Sequence, residues 1–181
     1  VLIPRMLSGH LQGRVLSMLS KMIKPKTILE IGTYTGYSAI CLSEGLEKDG
    51  QIITIDINEE IEKMAATYFE KAGVKQKIQQ YVGNALDIIP TLDTSFDLVF
   101  IDADKENYSP YFDMVIDKIP IGGYIIADNV LWSGKVVKEV DEKDQETIAI
   151  QAFNDKVQND QRVENVLFPI RDGLMVCRKV K

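Results

Sequence analysis

Histidine occurs once in this chain, at position 10, and tryptophan once, at position 132; the two cysteines, Cys41 and Cys177, stand alone. Without paired cysteines or clustered histidines there is no zinc framework and no disulfide scaffold, and both thiols are expected to sit reduced in a core. No apolar run approaches the roughly 18 to 20 residues that a bilayer-crossing helix needs, so a soluble, cytoplasmic protein with no membrane partner is expected. Acid is absent before Glu30, a stretch that holds Arg5, Arg14, Lys21, Lys24 and Lys26, although the formal net charge is -6. The negative total argues against a generic nucleic-acid coat, while the basic end keeps an RNA partner in view. The chain begins with Val1 rather than Met, which raises the expectation of a preceding amino-terminal segment that could cover substrate.

What is present reads as alternating strands and helices. With 181 residues, 45% of them apolar, the chain fits a single domain, 1–181, with a sizeable core. Apolar residues at Leu7, Leu11, Val15, Leu16, Leu19 and Ile23 predict a helix that Pro25 ends, making 1–25 a helical cover segment. Strands are predicted over 27–31, 51–56, 78–82, 96–101 and 124–127, the fourth apolar almost throughout, as burial on both faces requires. Helices are predicted over 38–46, 59–72 (Asn58 as cap, Gly73 as stop), 108–119 and 145–157, with a helical turn over 84–89 halted by Pro90. Two closing strands, 163–169 and 173–178, have no helix between them and should pair antiparallel. The result is an α/β, doubly wound, mostly parallel sheet with an antiparallel carboxyl-terminal hairpin.

In such sheets ligands sit over the carboxyl ends of the strands. Glu30, Asp56, Asp102 and Asp128 all fall near those ends. Any one of them is explained by a helix cap or a solvated loop; four together point to a site. The turn after the first strand has Gly32 and Gly36, with Tyr34 where a dinucleotide fingerprint needs its middle glycine. That substitution argues against a nicotinamide oxidoreductase and suits a phosphate-free adenosine cofactor, whose amino-acid end can be held by loop amides, the Ser38 hydroxyl and a carboxylate. Asp56 lies 24 residues beyond Gly32, about where an acid receives ribose hydroxyls. Gly83-Asn84-Ala85 would flank the adenine, although an ordinary turn explains those residues equally.

Asp102, Asp128 and Asn129 offer three oxygen donors, a set for Mg²⁺, Mn²⁺ or Ca²⁺ rather than zinc. Lys105, three residues past Asp102, is placed to take or orient a proton, against the alternative of a solvated loop lysine. Tyr108 and Trp132 could wall an aromatic substrate, with core packing equally open for Tyr108. His10 is expected to cap or to be partly buried rather than to catalyse.

Three motifs follow one another in order: Leu29-Glu30-Ile31-Gly32 with Thr35-Gly36-Tyr37-Ser38; Ile101-Asp102-Ala103-Asp104-Lys105 with Asn107-Tyr108; and Asp128-Asn129-Val130-Leu131-Trp132 with Gly134. On these residues the chain, from Pro4 to Arg178, closely resembles the cation-dependent O-methyltransferases, the caffeoyl-CoA and catechol O-methyltransferase-like family, in its small bacterial form. The resemblance implies a Rossmann-like methyltransferase fold with seven strands. It implies S-adenosyl-L-methionine contacts from Glu30, Gly32, Thr33, Ser38, Asp56 and Ala85, with Ser8, Gly83, Asn84 and Asp102 as additions. It implies metal ligation by Asp102, Asp128 and Asn129, catalysis by Lys105 with Asp102, a catechol-like acceptor and a homodimer. Plant members of the family often carry asparagine after the tryptophan, where this chain has Ser133. Small bacterial relatives also resemble tRNA 5-hydroxyuridine methyltransferases, whose acceptor again presents two adjacent oxygens, so tRNA is the competing partner. A non-catalytic cofactor-binding module is the remaining alternative.

Overall fold

The structure, a computed structural model, describes residues 8–181. Pro4, Arg5 and Leu7, which entered the sequence reading, lie outside the described residues. Two compact units divide the chain, one ending at Leu92 and the other running from Asp93 to Lys181.

The first unit contains helix α1 (Gly9–Ile23), strand β1 (Thr27–Ile31), α2 (Tyr37–Ser43), β2 (Gln51–Asp56), α3 (Glu59–Lys71), β3 (Ile78–Val82) and the short α4 (Ala85–Ile88). The second contains β4 (Leu98–Ile101), α5 (Tyr108–Ile116), β5 (Tyr124–Asp128), α6 (Gln145–Asn159), β6 (Val163–Phe168) and β7 (Leu174–Lys179). The seven strands form one sheet in the order β3-β2-β1-β4-β5-β7-β6. β1, β2 and β3 pair in parallel, as do β4 and β5, while β7 runs antiparallel to both β5 and β6. This is the predicted mostly parallel α/β sheet with its antiparallel hairpin.

In the first unit, the isoleucine-rich runs of β1 and β2 are buried on both faces. α1 begins at Gly9, after Ser8, and ends at Ile23 as predicted, where Lys24 enters the left-handed region (φ 53) and donates its N–H to Ser20 O. Its buried face differs from the predicted apolar stripe. Gln12, Gly13, Leu16, Ser17 and Ser20 face inward, while Leu11, Met18 and Met22 are exposed. Close approach to α2 explains the choice of small residues: a Cβ on Gly13 would lie 2.6 Å from the Tyr37 ring and 2.8 Å from Cys41 Sγ, and one on Gly45 would lie 2.1 Å from the Ser20 backbone. At Gly13, and at Ser20 facing Gly45, the gap admits no larger side chain, while Leu16 is buried elsewhere on the same face. α2 is shorter than predicted because Gly45 and Leu46 donate to carbonyls three residues back, Leu42 and Ser43, tightening the last turn. α3 begins as predicted: the Asn58 side chain accepts from Glu60 N at 2.9 Å, and three glutamates fill the first turn, where the helix dipole favours them. Pro90 does not halt the turn before it. It sits at the start of a further 3₁₀ turn, Ile89–Thr91, where a missing N–H costs nothing.

In the second unit, β4 begins at Leu98 rather than at Phe96, although Phe96 is fully buried. α5 ends at Ile116, three residues early, because Lys179 Nζ donates to Ile116 O and Ile119 O, both at 2.9 Å; the ammonium takes over carbonyls that a longer helix would have bonded. Cys177 is buried here, as Cys41 is in the first unit, and both are free thiols, as expected.

Candidate functional site

The polar residues of the first unit gather at the carboxyl ends of β1 and β2. Parallel register pairs Glu30 with Thr54, and paired residues share a sheet face. Both side chains are fully buried, and Thr54 Oγ1 donates to Glu30 Oε2 at 2.5 Å. Thr33 Oγ1 lies 2.6 Å from Thr54 Oγ1. Thr54 has one hydroxyl proton and gives it to the carboxylate, so Thr33 is the donor to Thr54. A row Thr33, Thr54, Glu30 results, oriented in one direction.

Asp56 organises the turn beside it. One carboxylate oxygen accepts from Tyr34 N at 2.8 Å and the other from Asn58 N at 2.9 Å. Tyr34, where a glycine fingerprint breaks, adopts φ 43, a left-handed conformation that costs a tyrosine roughly 1–2 kcal/mol. The Asp56 bond to its N–H holds it there. Gly36 is glycine for a second reason besides its φ of 79: a Cβ would lie 2.3 Å from Phe69 Cε1. Ser38 is buried in α2, and Thr33 is buried in the turn before it. At the end of β3, Gly83 donates its N–H to the Asp56 carbonyl at 2.9 Å, and Asn84 caps α4 by accepting from Leu86 N at 2.9 Å. Ala85, the first residue of α4, is buried. Ser8, also buried, occupies the cap position of α1 without a side-chain capping bond.

The second unit holds the other candidate group. Strands β4 and β5 pair Ile101 with Ala127, so Asp102 and Asp128 follow on neighbouring strands at the same level, with Asn129 next. Lys105 is buried, not a solvated loop lysine. Its Nζ donates to Tyr108 Oη at 2.6 Å and to Asp102 Oδ1 at 3.3 Å. It also lies 4.6 Å from the Tyr108 ring centroid and 5.7 Å from that of Trp132, a distance at which an ammonium is attracted to a ring face. Tyr108 is fully buried, so it is no substrate wall. Its hydroxyl donates to the Asp128 carbonyl at 2.9 Å, and its ring meets Phe153 edge-on. Burial first, then the charges of Asp102 and Asp128, push the Tyr108 hydroxyl well above the usual phenol range. It therefore stays a neutral donor.

The loop after β5 carries most of the second unit's left-handed backbone. Asn129 (φ 59), Trp132 (φ 47), Ser133 (φ 56) and Gly134 (φ 73) all lie there. Trp132 is half-buried, with its Nε1 enclosed and making no hydrogen bond to protein. Asp128 Oδ1 accepts from Asn129 N at 2.7 Å, which fixes the turn between the two residues.

The sequence profile of the O-methyltransferase family matches residues 2–180. The chain belongs to that family. It is 38% identical over 180 residues to the caffeoyl-CoA O-methyltransferase of Mesembryanthemum crystallinum, covering 93% of this chain and 71% of that one. It is 39% identical over 181 residues to caffeoyl-CoA O-methyltransferase 1 of Zea mays, covering 94% and 70%. Among solved structures it is similar to the O-methyltransferase TomG from Streptomyces achromogenes, determined in complex with SAM, with a TM-score of 0.91, 31% identity and coverage of 99% and 84%. The O-methyltransferase from Bacillus cereus, determined in complex with SAH, gives a TM-score of 0.91, 29% identity and coverage of 97% and 84%.

In this O-methyltransferase the donor set Asp102, Asp128 and Asn129 suits a hard cation: two carboxylates and an amide, all oxygen, leaving adjacent strand ends. No group of three His, Cys, Asp or Glu side chains among the described residues is placed to hold a metal, so a site here needs the amide of Asn129. His10 neither caps nor is buried; it is exposed on α1. The basic segment is partly neutralised. Glu44 receives Arg14 through both oxygens, Lys21 and the Ser17 hydroxyl, all between 2.7 and 2.8 Å. No helix among the described residues is long and apolar enough to cross a membrane. Two residues escaped the sequence reading. Thr54 was signalled only by being the one hydroxyl in an isoleucine run, and Asp172, described below, reads in sequence as an ordinary hairpin turn.

Proposed function

We propose that this O-methyltransferase moves the methyl group of S-adenosyl-L-methionine to one hydroxyl of a vicinal-diol, catechol-like small molecule, with Mg²⁺ (or Mn²⁺ or Ca²⁺) as its metal. The observation that carries this reading is the burial of Lys105 between Tyr108 Oη and Asp102, with Asp128 and Asn129 at the end of the strand paired with β4. Cofactor binding is supported by the SAM and SAH complexes of TomG and the Bacillus cereus enzyme. The acceptor class is supported by the names of the plant relatives.

For the cofactor, Glu30, Gly32, Thr33, Ser38, Asp56 and Ala85, with Ser8, Gly83, Asn84 and Asp102, form the binding set. Each Asp56 oxygen uses one lone pair on a backbone N–H, and a carboxylate oxygen can accept a second bond, so the ribose hydroxyls can bind without displacing Tyr34 or Asn58. For the metal, Asp102, Asp128 and Asn129 supply the ligands. When bound, the cation contributes Lewis acidity, which lowers the pKa of an acceptor hydroxyl. Lys105 takes or orients the departing proton, with Tyr108 fixing its Nζ. Trp132 would give the acceptor ring a wall, and S-adenosyl-L-methionine, when bound, would supply the methyl group, its S–CH3 bond breaking as the O–CH3 bond forms and S-adenosyl-L-homocysteine leaving. The reading further places the enzyme in the cytoplasm as a homodimer, for which the exposed Leu11, Met18 and Met22 of α1 speak.

The test is transfer of labelled methyl to catechol, caffeoyl-CoA and unmodified tRNA, each with Mg²⁺ and with chelator. Chelator-sensitive label on the catechol or on caffeoyl-CoA is expected. Label confined to tRNA would replace this acceptor with RNA, a partner that the Glu44 pairing of Arg14 and Lys21 disfavours. Label in none of the three would overturn the reading.

A further inference from the structure

The turn between β6 and β7 reaches the loop that carries Asn129 and Trp132. Asp172 Oδ1 accepts from Ser133 N at 2.7 Å, its carbonyl accepts from Leu131 N at 2.9 Å, and the Gly173 carbonyl accepts from Val130 N at 3.2 Å. The two segments touch closely enough that a Cβ on Gly173 would lie 2.7 Å from Leu131 Cγ. The hairpin turn is itself bent to make this approach, with Arg171 at φ 52 and Gly173 at φ 85.

Two of these four ties are backbone hydrogen bonds, and a third is the approach of Gly173 to the Leu131 side chain. The bond from Ser133 N to Asp172 is the one made by a side chain, and it lands on the residue that most needs holding. Trp132 and Ser133 are consecutive non-glycine residues in the left-handed region, a conformation that persists where surrounding structure imposes it. A carboxylate accepting a backbone N–H forms a charge-assisted bond, stronger than a neutral one.

We propose that Asp172 is a positioning residue for the acceptor site: by holding Ser133 N it fixes the backbone under Trp132, and so sets the orientation of the aromatic wall. The proposal rests on Trp132 lining the acceptor site, as in the proposed function. Asp172 touches neither acceptor nor cofactor in this scheme. Its effect passes through the loop.

The chain contains a single tryptophan, so intrinsic emission reports this loop alone, whether or not the assay acceptor is the right one. The variants are Asp172→Ala, which removes the acceptor, and Asp172→Asn, which keeps a carbonyl oxygen for Ser133 N. For Asp172→Ala, red-shifted emission with greater acrylamide quenching is expected, with the catechol KM raised roughly tenfold and the S-adenosylmethionine KM within about twofold. Asp172→Asn should restore both. Unchanged emission and quenching in Asp172→Ala would overturn the proposal even if no acceptor were methylated. So would equal rises in both KM values without rescue by Asn, since that pattern marks a general loss of folding. If wild type methylates no catechol yet the emission shifts and Asn rescues it, the clamp stands and the acceptor assignment falls.

Discussion

Tyr108 Oη and the carbonyl of Asp128 lie 2.9 Å apart, twenty residues distant in sequence, and the phenol between them and Lys105 is wholly enclosed. The hydroxyl is donor to one and acceptor to the other. Tyr108→Phe keeps the ring against Phe153 but removes one hydrogen bond to the buried Asp128 carbonyl and one of the two partners of the buried Lys105 ammonium, which keeps Asp102. A stability loss of about 1–3 kcal/mol is expected in urea denaturation, together with a lower kcat and an unchanged cofactor Kd. A variant as stable as wild type would show that water replaces the phenol.

Lys105→Ala tests the assignment of the base. Turnover should fall by about 10²- to 10⁴-fold, while calorimetric binding of S-adenosylmethionine stays within about threefold of wild type, because the proton-handling group is distinct from the cofactor set. Unchanged turnover would remove Lys105 from the mechanism. Lys105→Arg, which is longer, planar and never a base at accessible pH, should not recover activity.

Thr54→Val is nearly isosteric and deletes the hydroxyl that joins Thr33 to Glu30. It leaves a buried carboxylate short of a donor, so stability should drop by about 1–3 kcal/mol and cofactor affinity should weaken. Isothermal titration and thermal melts read the two effects separately. Weakened stability with wild-type affinity would confine Thr54 to a structural part.

Glu44 provides a pH test remote from both sites. Hydrogen bonds from Arg14 and then Lys21 hold its carboxyl well below the usual carboxylate range. A depressed folded-state pKa means that the stabilisation is complete above the unfolded value, near about 4.3, and is lost as pH falls through the folded one. The stability gap between wild type and Glu44→Gln should therefore be widest at neutral pH and close as pH falls below about 4. It should also narrow in high salt, because the partners are partly exposed and screened. A gap that does not vary with pH would mean that the ion pairs contribute little.

The strands were the most legible part of the fold. β1 and β2 have the bounds that their β-branched runs and flanking proline and glycines indicate, since burial on both faces leaves little choice of period; β3, buried only at Ile78, also keeps its predicted bounds, with Gly83 beyond its end. α1 was legible in extent but not in orientation. Its row Leu11, Val15, Leu16, Leu19 and Ile23 looks like a core face, yet of these only Leu16 is buried, and a crossing tight enough to exclude any Cβ at Gly13 puts Gln12, Ser17 and Ser20 beside it. At the site, the strand-end acids and Lys105 could be read from position and spacing. The burial of Lys105 could not, because it depends on Tyr108 and Trp132 arriving from two different elements. Tyr34 read as a defect in a glycine motif, whereas Asp56 holds the tyrosine in the conformation that glycine would have taken.

In the proposed cofactor site, the hydroxyl row ending on Glu30 would work as a polarity filter. Thr54 gives its proton to the carboxylate and Thr33 gives its own to Thr54, so Thr33 Oγ1 retains only lone pairs for whatever reaches it. An incoming ammonium or hydroxyl finds a receptor there, and an incoming carboxylate meets oxygen against oxygen. Two threonines and one buried acid can therefore tell the two ends of an amino-acid ligand apart without any charged group at the surface.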